Sequence, residues 1–202
     1  MPVDKFKCKY YPWDRIWGLS RKLSRKIRNS EFRPDMIVAI ARGGLIPAVN
    51  LSDFLSIKDI ATVKIEHWGI TATKDRKARL KYPLSANITR KNVLLVDDLT
   101  DTGDSIILAL EHLKTLNPNT IKTATLIHKS TSDYKPDFYA KKIEKWLWII
   151  FPWNFNEDVG NLIKKILKGK KNLKPEAIRK ELKSRFDLTV DEKTIEEILN
   201  YL

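Results

Sequence analysis

The chain contains one cysteine, Cys8, three histidines and no glutamine among its 202 residues. A single thiol excludes an internal disulfide and any multi-cysteine metal site. Cys8, near one end, reads as a bystander. His67, His112 and His128 are widely dispersed, and no Ser/His/Asp arrangement accompanies them, so a histidine-rich metal centre and a hydrolase both lack support. Long apolar runs are missing as well. The longest, Trp146 to Trp153 with Pro152 inside it, has strand length and falls short of the roughly 20 residues a membrane-spanning helix needs. The opening MPVDKFKCKY holds no apolar signal region, and the expected location is the cytoplasm. Missing glutamine beside abundant lysine and isoleucine fits a composition that avoids thermolabile amides, and a thermophilic source is expected.

What is present suffices for a core: 43% hydrophobic and 31% charged residues describe a folding chain rather than a disordered one. The length allows one domain of ordinary size with about forty residues to spare. Lys and Arg exceed Asp and Glu by 38 to 25, a net charge of +13. That balance suits a polyanionic ligand, whether nucleic acid, a phosphorylated metabolite or a membrane surface, and charge alone does not choose among them.

Along the chain, Ile16, Trp17, Leu19, Leu23 and Ile27 recur at helical spacing between Asp14 and Asn29. Met36 to Ile40 is a continuous apolar run, expected as a strand buried on both faces; Arg42-Gly43-Gly44 closes it, and Leu45 to Phe54 returns to helical spacing. Ala61 to Ile65, Val93 to Val96, Thr123 to Ile127 and Leu147 to Phe151 read as further strands, and Ser105 to Leu116 as a helix. This is an α/β rhythm with a central, mostly parallel sheet flanked by helices. Residues 66 to 90 show no clear periodicity and are expected to be a mobile lid, whose Lys74, Arg76, Lys77, Arg79 and Lys81 could reach an anion. After Asn154 the composition shifts. Three helical segments are expected, Val159 to Lys168, Pro175 to Phe186 and Val190 to Leu202, the last opened by a Thr189/Glu192 capping box. The expected division is a core over 1–158 and a small helical appendage over 159–202.

The most informative stretch is Val93-Leu94-Leu95-Val96-Asp97-Asp98-Leu99-Thr100-Asp101-Thr102-Gly103-Asp104-Ser105. A buried strand delivers two adjacent carboxylates to its C-terminal edge, where ligands of open α/β sheets bind. A short loop bearing hydroxyls and glycine then opens a helix, so that backbone N–H groups and hydroxyls can wrap a phosphate. Carboxylates for sugar hydroxyls beside donors for a phosphate describe a ribose 5-phosphate site.

The pattern resembles the phosphoribosyl diphosphate (PRPP) motif of the type I phosphoribosyltransferases, in particular the hypoxanthine and xanthine-guanine enzymes of the purine branch, over about residues 10 to 156. The resemblance implies the type I phosphoribosyltransferase fold, with Asp97 and Asp98 on the ribose hydroxyls directly or through Mg²⁺ or its water, and residues Asp101, Thr102, Gly103, Asp104 and Ser105 around the 5-phosphate. Asp101, an aspartate as in the 6-oxopurine branch, would exchange a proton with the purine N7. Arg42, Gly43 and Gly44 resemble the diphosphate loop, where a strained peptide offers backbone N–H groups to the leaving group. Lys129 at a strand end resembles the donor to the purine O6, Trp148 the aromatic that stacks on the base, and Ile149 the residue whose backbone reads the ring edge. Asn154 stands where the family has aspartate. A carboxylate only accepts hydrogen bonds, whereas asparagine also donates, so adenine stays open beside a 6-oxopurine. The lid lacks the Ser-Tyr pair of many 6-oxopurine members.

The expected activity is therefore transfer of the 5-phosphoribosyl group from PRPP to a purine base, giving a nucleoside 5′-monophosphate and diphosphate in purine salvage. Mg²⁺ is the expected cofactor and a homodimer the expected assembly, with no membrane partner. The rival from another class is a PRPP-sensing regulator that binds nucleic acid, fed by the basic charge and the paired last helices. Against it, the tail carries only eleven Lys and Arg against seven Asp and Glu, and each residue expected for catalysis has a candidate.

Overall fold

A computed structural model describes residues 5–68, 77–168 and 173–202. In chain order the elements are β1 (Cys8–Tyr10), α1 (Trp13–Arg28), β2 (Met36–Ala41), α2 (Leu45–Leu55), β3 (Ile60–Trp68), β4 (Lys77–Tyr82), β5 (Asn92–Thr100), α3 (Asp104–Lys114), β6 (Thr120–Lys129), β7 (Phe138–Ile143), β8 (Trp148–Ile150), α4 (Phe155–Leu167), α5 (Pro175–Phe186) and α6 (Glu192–Leu199). They fall into two compact units, one over 14–146 and one formed by 1–13 with 147–202.

In the larger unit six strands form one sheet in the order β4-β3-β2-β5-β6-β7. Every pairing is parallel except that of β4 with β3. The apolar runs read from the sequence become its centre, and Ile37, Val38, Ala39, Val93, Leu94 and Val96 are completely buried. Side chains alternate across a strand, so Met36, Val38 and Ile40 join Val63, Val93 and Leu95 on the face packed by Ile106, Ala109 and Leu113 of α3. In α1 the buried residues Ile16, Ser20, Leu23, Ser24 and Ile27 form one stripe, and Arg25, Lys26 and Arg28 sit in the last turn, where cations meet the negative end of the helix dipole.

Part of the expected lid is sheet. Residues 66–68 extend β3, and β4 pairs with them antiparallel, Glu66 opposite Arg79 and His67 opposite Ala78. Ala78 and Leu80 pack on the core two residues apart, a weak alternation obscured in sequence by Arg79 between them and by the flanking Lys77 and Lys81. Of the lid cations, Lys81 is engaged by Glu66 at 2.8 Å, while Lys74 and Arg76 lie outside the described residues.

In the smaller unit β1 and β8 pair parallel, Cys8 opposite Trp148 and Tyr10 opposite Ile150. Helices α4, α5 and α6 close over Cys8 and Ile150 with a core of Val159, Ile163, Ile178, Leu182, Phe186 and Ile195. The first residues therefore belong with the tail, and the division does not fall between 158 and 159. Strands β1 and β7 were not anticipated, because three residues, or six with lysines inside, leave little periodicity. Helix α4 starts at Phe155 rather than Val159. The cap of α6 is Asp191, whose carboxylate accepts from the Thr194 N–H at 2.9 Å and its hydroxyl at 2.7 Å, in place of the Thr189/Glu192 box. An aspartate acceptor three residues before the donor is the stronger N-cap.

Candidate active site

Strand β5 ends the sheet's apolar centre with Asp97 and Asp98, both buried. The Asp97 carboxylate accepts the Asp98 N–H at 2.9 Å. Burial pushes the Asp97 carboxyl well above the ordinary aspartate range, and the neighbouring Asp98 charge pushes it further. The backbone hydrogen bond opposes this without reversing it. A pair of acids held so is poised to gain from a cation or from hydroxyl donors.

Beyond Thr100 the chain turns into α3. Gly103 takes a φ of +102°, in the left-handed region that suits glycine, and a Cβ there would lie 2.5 Å from the Cβ of Tyr134. Thr102 Oγ1 donates to Asp104 at 2.8 Å and accepts the Asp104 N–H at 3.4 Å. The loop is braced from the segment after β6: the Ser132 hydroxyl and the Asp133 N–H both donate to the Thr102 carbonyl, at 2.9 and 3.1 Å. That segment is itself fixed by Tyr134, whose hydroxyl shares a 3.1 Å hydrogen bond with Thr123, and by Asp137, which accepts from the Thr123 N–H and hydroxyl and from Lys122. Burial raises the Asp137 carboxyl, but these hydrogen bonds outweigh it and hold the group below its ordinary value. Ser132 and Tyr134 as supports of the Thr102–Gly103 loop carry no sequence signal, since they meet it only in space.

The turn after β2 lies against the acids. The Ala41–Arg42 peptide is cis. A Cβ on Gly43 would come within 2.6 Å of the Asp98 carboxyl carbon, and one on Gly44 would strike the Val96 carbonyl. Only glycine lets these two loops approach so closely. Arg42 is exposed at the same turn.

The parallel register of β5 and β6 pairs Thr100 with His128. The next residue of each strand therefore leaves the sheet side by side, and Lys129 Nζ reaches the Asp101 carboxylate at 2.9 Å. Lys129 is only 2% exposed. Its ammonium also lies 5.4 Å from the centre of the Trp146 ring. Asp97, Asp98, Asp101–Ser105, Arg42–Gly44 and Lys129 thus share the C-terminal edge of one sheet, where strands 2, 5 and 6 end.

Residues 9–159 match the phosphoribosyl transferase domain model. The chain belongs to the phosphoribosyltransferase family. It is similar to the xanthine-guanine phosphoribosyltransferase of Ruegeria sp. (strain TM1040), 30% identical over 152 residues that cover 70% of this chain and 82% of the relative. The corresponding enzyme of Idiomarina loihiensis is 27% identical over 147 residues, 73% of this chain and 87% of its own. Among solved structures, a purine phosphoribosyltransferase from Pyrococcus horikoshii superposes with a TM-score of 0.63 at 33% identity, covering 73% of this chain and 93% of that one. The match to the family stops at residue 159, so most of the three-helix region lies beyond it.

Trp148, Ile149 and Asn154 belong to the smaller unit. The Trp148 indole N–H donates to Asp158 at 3.2 Å, and its ring stands 6.5 Å from that of Phe6. Ile149 is buried and pairs with Lys9. Asn154 ends a short 3₁₀ turn, its N–H bonded to the Phe151 carbonyl at 3.1 Å. Cys8 is buried in the same unit, and burial, with Asp158 nearby, pushes its thiol up to about 12, which leaves it protonated and unreactive at neutral pH. Among the described residues, no cluster of three or more His, Cys, Asp or Glu side chains could hold a metal, and no helix is long and apolar enough to cross a membrane.

Proposed function

We propose that this chain transfers the 5-phosphoribosyl group from PRPP to a 6-oxopurine, releasing diphosphate and a nucleoside 5′-monophosphate. The observation that carries the reading is the ion pair of Lys129 with Asp101 at 2.9 Å, beside the acidic pair and the phosphate loop. The pair sets a donor for a carbonyl and a carboxylate acceptor next to each other, which matches O6 and the N7 proton on one edge of an oxopurine. The xanthine-guanine substrates named for the relatives fit that chemistry.

In this reading Asp97 and Asp98 take the ribose hydroxyls, and the backbone N–H groups and hydroxyls of residues 102–105 take the 5-phosphate. Arg42 and the Gly43-Gly44 turn face the diphosphate, where preorganised donors stabilise the charge of the leaving group. Asp101 holds or accepts the proton at N7, and Lys129 donates to O6. The donor set suits Mg²⁺: two hard carboxylate oxygens, with no third protein ligand among the described residues, match an ion that binds one or two carboxylates and keeps substrate oxygens and water. When bound, that ion would neutralise diphosphate charge.

The test is nucleotide formation from PRPP and Mg²⁺ with guanine, hypoxanthine, xanthine and adenine offered separately. Turnover of an oxopurine supports the reading. Turnover of adenine alone would favour the second reading, which Asn154 motivates, of an adenine enzyme on an oxopurine-type scaffold. No turnover would favour a PRPP-binding regulator, to be checked by salt-dependent binding to duplex DNA. Against that rival, α6 and its cap present Asp191, Glu192, Glu196 and Glu197 with only Lys193 in opposition, the wrong sign for a helix laid in a groove. A homodimer is part of the proposal, and sedimentation of the full chain would test it.

A further inference from the structure

Lys129 is among the largest fully buried side chains of the molecule and carries a formal charge. A buried ammonium needs partners, and the geometry supplies two of different kinds. The Asp101 carboxylate accepts one N–H at 2.9 Å. The face of Trp146 lies 5.4 Å from Nζ, within the range where an aromatic quadrupole attracts a cation. Trp146 sits between β7 and β8 and is itself 49% exposed, so it contributes little to the core.

We propose that Trp146 is a positioning residue that holds the Lys129 ammonium ready for a purine carbonyl and thereby sets the preference for 6-oxo over 6-amino bases. An ammonium has three donors and no acceptor. A carboxylate consumes one of them. An aromatic face stabilises the charge without a lone pair that captures a proton, so a donor stays available for O6. A second carboxylate in the same place would compete with the base for it. Adenine offers an amino group there, donor against donor, and would fit only if Nζ moved away from the ring and lost that attraction. The ring thus favours the oxopurine and opposes the aminopurine through one side chain. The inference rests on the oxopurine reading proposed above.

The test compares the full-length protein with W146F, W146L and W146A, each checked for an unchanged melting profile. Steady-state kinetics are measured with PRPP against guanine and adenine. In W146L and W146A the KM for guanine is expected to rise about tenfold, the scale of a partly desolvated cation–π contact, and the preference for guanine over adenine to fall. The KM for PRPP and the turnover number should stay within about twofold. W146F, which restores a ring face, should recover at least part of the loss. A leucine variant with the original guanine KM and preference would overturn the inference, as would a phenylalanine variant no better than leucine. Both results leave the oxopurine reading standing. Failure of the unsubstituted protein to use any oxopurine would overturn that reading, and the inference with it.

Discussion

The edge of the large sheet and the three-helix core of the smaller unit bury opposite kinds of side chain. Around Phe186, the helices bury Ile163, Ile178, Leu182, Ile195 and their neighbours. Among the described residues of that unit, Asp158, bonded to Trp148, is the one buried charge. At the ends of β5 and β6, Asp97, Asp98, Thr100, His128 and Lys129 are all buried within a few residues of one another. The first arrangement gains stability from each side chain. The second gives stability up, because desolvating a charge is costly unless a partner returns the energy. Lys129 has its partner in Asp101, whereas Asp97 and Asp98 repel each other. The contrast locates chemistry without reference to any ligand: sites concentrate charges that the fold would sooner exclude.

The sharpest way to break the comparison is Asp101→Asn. If this carboxylate manages the purine proton, the turnover number should fall by about 10²- to 10⁴-fold, with the KM for PRPP little changed, as read by steady-state kinetics. An unchanged rate would assign Asp101 to holding Lys129 alone. Next comes Leu182→Ala in the helical core. Removing a fully buried leucine there should cost about 2–5 kcal/mol in denaturant unfolding of that unit, while PRPP turnover in the fraction that remains folded is unaltered.

Asp97→Asn should move stability and function in opposite directions. Burial raises the Asp97 carboxyl above its unfolded value, so its protonated form suits the fold; the stability it contributes is complete below the unfolded value of 3.8 and is lost as pH rises through the folded one. The asparagine variant should therefore melt higher than the parent at neutral pH and lose that advantage on acidification to below 3.8, while its PRPP binding is weakened. A variant less stable at neutral pH would contradict the electrostatic account. The smallest effect concerns His128. Its Nδ1 is buried without a hydrogen-bond partner among the described residues, and burial, with Lys142 and Lys135 nearby, lowers its affinity for a proton. The neutral ring is favoured by the fold, so its contribution is complete above the ordinary value of 6.5 and declines as pH falls and the unfolded chain takes the proton. His128→Phe should flatten the melting temperature between pH 7 and 5 relative to the parent; an identical slope would remove His128 as its source.

The candidate site was legible wherever its residues are contiguous. Asp97 to Ser105 is one segment in which a strand, a turn and a helix start follow one another, and each local rule points the same way. Arg42-Gly43-Gly44 was legible as a strand end, and its glycines are explained by Asp98 and the Val96 carbonyl, which only the sheet brings near. Lys129 was read as a strand-end lysine. Its burial and its partner were not readable, because they depend on the register of β5 against β6. Trp146 was read only as the start of an apolar run, one tryptophan among six, with no role at the site.

By itself the sequence determined the element types, the doubly buried strands and the turn that leads from β5 into α3, because apolar periodicity and turn chemistry act over a few neighbouring residues. Tertiary structure alone decided that Thr100 meets His128 and so Asp101 meets Lys129, that Ser132 and Tyr134 brace the loop at Thr102 and Gly103, and that Cys8 pairs with Trp148 across 140 residues. Such pairings are selected by the packing energy of whole faces and the closure of backbone hydrogen bonds between distant segments, which no local pattern records.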